Sequence, residues 1–159
     1  MSRRIALPLS AAALAAVFVA GATTAGGQSA QSGDRALFAA LSGAKSIGED
    51  GQRGAGDRNG FGSASATVDG GRLCFGITVK NIDQPAAAHI HRGGPGVNGP
   101  VVIELEAPSD GDPGAVGGCV SARTSLTRQI RRAPSRFYFN VHTQRYPNGA
   151  VRGQVRLAR

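Results

Sequence analysis

A chain of 159 residues with 24 Gly and 8 Pro is one domain in size and poorly suited to a helical bundle. Trimming its ends leaves about 120 residues, enough for one packed core and not for two. The formal charge of +8 is almost all Arg, with Lys45 and Lys80 the only lysines, and no aromatic stacking residues are interspersed in the densest run, Arg123, Arg128, Arg131, Arg132 and Arg136; nucleic acid is thereby disfavoured as a partner.

The chain opens with a secretory pattern. Arg3 and Arg4 form a positive n-region, Ile5 to Ala20 is apolar, and Ala20-Gly21-Ala22 is a small-x-small cleavage site, with Thr23 to Ala25 offering a later one. The apolar stretch is short for a membrane span of about 20 residues, so the alternative of a retained anchor is disfavoured. The expected organisation is a signal peptide over 1–22 (cleavage as late as 25), a flexible leader over 23–35 and one β domain over 36–159. Loss of Arg3 and Arg4 takes the formal charge to +6. The expected product is secreted, at the cell envelope or outside the cell, and not an integral membrane protein.

Residues 36–41 are apolar and ambiguous between strand and helix. Residues 43–60 carry six glycines and mixed charges without periodicity, and read as a mobile surface loop. From Phe61 the period becomes two: Ala64, Ala66 and Val68 alternate with Ser63, Ser65 and Thr67. Asp69-Gly70-Gly71 turns the chain, and Leu73, Phe75, Ile77 and Val79 alternate with Cys74, Gly76 and Thr78 on the return strand. A strand from Ala87 to His91 leads into a glycine loop and a second strand from Val101. Residues 107–118 read as a Pro/Gly/Asp loop that delivers Cys119. Leu126 and Ile130, four apart, place a short helix over Thr124 to Arg132, stopped by Pro134. Phe137, Phe139 and Val141 then alternate with Tyr138, Asn140 and His142, and an Asn148-Gly149 turn returns the chain through Val151, Val155 and Leu157. The pattern predicts an all-β fold: an antiparallel β-sandwich or partly closed Greek-key barrel of about seven to eight strands with one short helix.

Cys74 and Cys119 are the only cysteines, and an even count in an exported chain predicts a disulfide. On the chain-entropy model the closed loop is worth roughly 4 kcal/mol.

The three histidines are the chemically informative residues. His89 and His91 are two apart on one strand, so they share a face, about 7 Å apart along it. His142 likewise points away from the Phe137/Phe139/Val141 face. If the strands are neighbours, the imidazoles converge. Three neutral imidazoles suit zinc or copper with a further position open. A shared ion would require ring nitrogens roughly 3 to 5 Å apart, given bonds of about 2.0–2.1 Å. The alternatives are a hydrogen-bonded network, with Asn140, Thr143 and the backbone of Gly94 to Gly99 as partners, and a pH-dependent switch. No nucleophile motif or paired carboxylates accompany the histidines, so the chain is not expected to be an enzyme, although a metalloenzyme is the corollary of the metal reading.

The stretch Ala88 to Val102, with Gly93, Gly96, Asn98, Gly99 and Pro100, resembles the A-H-I-H-x-G-x-x-G-x-N-G-P-V-V hallmark of the CHRD (chordin-type) domain. Tyr138 to Thr143 matches its Y-x-N-V-H-T strand, which includes Asn140 and Thr143. Pro147, Gly149 and Arg152-Gly153-Gln154 match the Pro-Gly turn and R-G-Q that follow, and Leu41-Ser42-Gly43-Ala44 matches its opening. The resemblance spans about Leu37 to Leu157 and is to secreted bacterial single-domain members. It implies an all-β extracellular module with no established catalytic activity. Two departures are visible: Lys45-Ser46-Ile47-Gly48 replaces an N-E-V-P-type segment, and Ala150 stands where an acidic residue is often found. A weaker resemblance, to the H-V-H strand of copper/zinc superoxide dismutases, lacks the further histidines and bridging Asp those enzymes need. The expected role is non-enzymatic binding or support, with an acidic envelope polymer or an extracellular protein as partner. The alternative is a metal-binding protein using His89, His91 and His142 with copper or zinc.

Overall fold

Strand-forming alternation accounts for most of the chain. The computed structural model describes residues 36–111 and 114–158, all within one compact unit, Gln31–Arg159; the expected signal peptide and leader lie outside the described residues. Its strands are β1 (Leu37–Ser42), β2 (Phe61–Asp69), β3 (Arg72–Lys80), β4 (Pro85–Arg92), β5 (Val101–Leu105), β6 (Ala115–Ser121), β7 (Phe137–Thr143), β8 (Val151–Gln154) and β9 (Arg156–Leu157), with α1 (Thr124–Arg132) between β6 and β7. They form one antiparallel sheet in the order β5-β4-β7-β8-β1-β2-β3-β6, nearly closed into a barrel, with β9 also paired to β1. This is the barrel form of the predicted all-β class.

The inner face is apolar. Leu37, Ala39, Leu41, Ala64, Ala66, Leu73, Ile77, Ala88, Ile90, Phe137, Phe139, Val141 and Val151 are all buried in one cluster. Helix α1 closes an end, with Ile130 fully buried and the Thr127 hydroxyl donating to the Gly70 carbonyl of the β2–β3 turn. No helix among the described residues is long and apolar enough to cross a membrane.

The ambiguous 36–41 segment is strand, because its alternate residues Leu37, Ala39 and Leu41 face the core. Residues 43–60 are not a free surface loop. They form a 3-10 turn at Gly43–Lys45 and a bridge between Ile47 and Arg53, and they bury Ile47. Their anchors are long-range: the Asp57 N–H donates to the Ala150 carbonyl, and the Asn98 amide donates to the carbonyls of Ile47 and Gly48. Cys119 is not carried by a flexible loop either. It lies within β6, directly opposite Cys74 on β3, with the sulfurs 2.12 Å apart, at disulfide distance. Gly117 and Gly118 removed the side-chain alternation by which β6 would have been recognised.

On the outer face of β4, β7 and β8 the side chains are polar yet buried: His91, Asn140 and Arg152, together with Tyr138. The loops 43–60 and 93–100 roof this face. The candidate site lies in this second layer.

Candidate metal centre

Register brings the histidines together. In the β4–β7 ladder Ala87 pairs with His142, His89 with Asn140 and His91 with Tyr138, so His142 is the diagonal neighbour of His89 on the same face. His89 Nδ1 lies 3.0 Å from His142 Nε2. One nitrogen from each of the three rings can be chosen so that all lie within 4.8 Å of one another. That spacing lies within the roughly 3 to 5 Å that a shared ion requires.

The other nitrogen of each ring is engaged by an oxygen acceptor. His91 Nδ1 donates to the Gly99 carbonyl at 2.9 Å and His142 Nδ1 donates to the Pro147 carbonyl at 2.8 Å. His89 Nε2 lies 2.7 Å from a carboxylate oxygen of Glu104, its neighbour across the β4–β5 ladder. Carbonyls and carboxylates only accept, so each of these nitrogens carries the ring proton. The inward nitrogens, His89 Nδ1, His91 Nε2 and His142 Nε2, are then left as lone pairs. This is the arrangement in which metal-binding imidazoles are held, tautomer and ring orientation fixed by an acceptor behind the ring. His91 Nε2 is buried with no hydrogen-bond partner. The facing nitrogens of His89 and His142 would repel as two lone pairs unless a cation, a proton or a metal, lies between them.

Burial keeps two of the rings neutral. For His91, desolvation is the largest cause of a pKa below 6.5; the Gly99 hydrogen bond opposes it, and the other two histidines and Arg152 reinforce it. For His142, desolvation again dominates, opposed by the Pro147 hydrogen bond. Neutral imidazole is the ligand form.

The motif residues act one step behind the histidines. Gly99 lies so close to the Arg92 carbonyl that a Cβ there would collide with backbone, and this approach places the Gly99 carbonyl behind His91. Pro100 accepts the Arg92 N–H, and Gly93 donates to Arg136, pinning both ends of the loop; Gly96 turns it with φ +79°. Arg152 is buried and donates to the Asn98 side chain and to the carbonyls of Gly94 and Val97. Its guanidinium sits 3.4 Å from the centre of the Tyr138 ring, and Tyr138 stacks on His91 at 4.8 Å with an interplanar angle of 9°. Gln154 spreads its amide N–H groups over the carbonyls of Gly93, Ser135 and Phe137. Gly153 has the Ala40 carbonyl where a Cβ would stand, which allows β8 to approach β1.

Asn140 and Thr143 are not partners of the histidines as the network reading expected. Asn140 donates to the Asn148 carbonyl and Thr143 accepts the Tyr146 N–H, so both brace the turn that carries Pro147. Ala150, at the position where the resemblance suggests an acid, is fully buried. Glu104 carries no sequence signal that would place it beside the histidines; its position opposite His89 follows from the β4–β5 register.

The fold and site define a class: an antiparallel β module whose outer face carries a roofed cluster of three histidines. The CHRD domain profile matches residues 37–155, and the chain belongs to that family. No curated protein and no solved structure matches it.

Proposed function

We propose that this protein is an exported CHRD module that holds one divalent first-row ion, Cu(II) or Zn(II), through His89 Nδ1, His91 Nε2 and His142 Nε2, in a binding or structural role. The observation that carries this reading is the buried, unpartnered His91 Nε2, aligned with two further imidazole lone pairs. A hydrogen-bonded network alone leaves that acceptor desolvated with nothing in exchange. Two nitrogens bound tetrahedrally to one ion at about 2.0–2.1 Å sit roughly 3.3 Å apart, so the His89–His142 pair, at 3.0 Å, needs little movement, and a set that already lies within 4.8 Å needs only a small closure. An all-imidazole set suits copper or zinc and disfavours magnesium or calcium. The N-terminal secretory pattern and the cysteine pair at disulfide distance support export. The exposed arginines of α1 and its flanks, Arg123 to Arg136, are the face on which an acidic envelope polymer or extracellular protein would dock.

Elemental analysis of protein purified without a polyhistidine tag tests the proposal. About one copper or zinc per chain, removed by chelator and restored on reloading, is expected. Protein that retains neither metal after incubation and desalting contradicts it. If an envelope fraction leaves nothing on the immobilised protein, the docking part fails separately.

A further inference from the structure

A second site lies on the other side of Arg152. Between the outer face of β1, the end of the sheet at β8 and β9, and the two roofing loops is a cavity of about 300 Å³. Four cations line it, Lys45, Arg53, Arg152 and Arg156, over apolar surface from Phe38 and Ile47, and no carboxylate lines it. Among the described residues none of the four has a carboxylate within 4.0 Å. Arg152 is committed to the loop by its hydrogen bonds. Lys45 spends one donor on the Ala40 carbonyl, which leaves its remaining N–H groups and the guanidiniums of Arg53 and Arg156 for a ligand. Partial burial is the larger cause, and the nearby charge of Arg156 the smaller, of a Lys45 pKa below the ordinary lysine value.

We infer that this cavity binds a small phosphate monoester, its dianion held by Lys45, Arg53 and Arg156 and its apolar body against Phe38 and Ile47. Three free cations exceed what one carboxylate would neutralise, and the guanidinium fork matches phosphate oxygens in pairs. The volume is at the low end for ligand pockets and fits a single-ring body. Phe38, 42% exposed although apolar, gains cover from such a ligand.

The probe is phenyl phosphate, titrated into chelator-treated protein above the second phosphate pKa of about 6. Removing metal keeps the phosphate off the histidine site, so the outcome is independent of the metal reading. Two-dimensional NMR should show saturable shifts at Arg53, Arg156 and the backbone of residues 38 and 45–47. Phenol and benzoate should bind at least about tenfold more weakly, and the R53Q/R156Q double variant should lose about tenfold or more in affinity. Both residues are exposed, so the variant keeps its fold, and an unchanged spectrum elsewhere confirms it. The inference is overturned by any of four results: no saturation, phenol binding as tightly, shifts centred on Arg123 to Arg136, or unchanged affinity in the double variant.

Discussion

His89 Nδ1 and His142 Nε2 face each other at 3.0 Å across the β4–β7 ladder, and each ring presents its opposite nitrogen to an oxygen acceptor. Two neutral imidazoles so fixed cannot donate to one another, and a cation between them resolves the conflict.

His142→Ala removes one ligand and leaves the Pro147 carbonyl without its donor. Metal retention should fall first, by about a hundredfold or more in affinity. The metal-free protein should lose about 1 kcal/mol, the cost of one unmade hydrogen bond. Chelator competition and denaturant melts separate the two effects. Unchanged affinity would remove His142 from the site.

Acid should destabilise the metal-free protein. His91 and His142 have pKa values below 6.5 in the folded state, burial being the main cause in each. As pH falls, the unfolded chain therefore takes up protons at these positions before the folded chain does. Their contribution is complete above about pH 6.5 and is lost as pH falls from there through the depressed folded values. Melts across this window should show a falling midpoint, less steep when both residues are replaced by Gln. Metal should leave in the same direction, because protons compete for the same nitrogens.

Arg152→Met keeps the volume over Tyr138 and strands the acceptors on Asn98, Gly94 and Val97. A loss of about 2–4 kcal/mol is expected, with weakened metal binding because the loop carrying the Gly99 carbonyl is no longer tied down. Lys at this position should rescue only part of it, since one ammonium cannot reproduce the fork and the stack. A loss of stability with metal affinity intact would show that Arg152 does not position His91.

The site was only partly legible in the sequence. Period two placed His89 and His91 on one face and His142 on the polar side of its strand, because alternation is a local property. The diagonal contact of His142 with His89 depends on β4–β7 register, which no local pattern encodes. Ile47 was hidden in a stretch whose glycines and charges show no period, although it anchors the roof over the site. Arg152 was visible only as a motif residue, because a buried arginine looks like a surface one until its acceptors are known.

Gly149→Ala tests the turn behind His142. Gly149 has φ +126°, a conformation that L residues avoid, and a Cβ there would run into the Asn140 side chain. A loss of about 1–3 kcal/mol is expected, with displacement of the Pro147 carbonyl reducing metal affinity as well. An alanine variant with wild-type melting and metal content would contradict that role.

The cysteine pair holds edge strand β6 to β3. Non-reducing digestion and mass spectrometry should find Cys74 and Cys119 in one linked peptide pair. The double Cys→Ala variant should lose up to about 4 kcal/mol. Two free thiols in protein purified without reductant would refute the link.

The most direct test of the central claim is pulsed EPR of Cu(II)-loaded protein, which counts imidazoles through their remote nitrogens. Three coupled imidazoles are predicted in the wild type, falling to two in His91→Phe. A copper site with fewer than three, or one unaffected by loss of His91, would contradict the account.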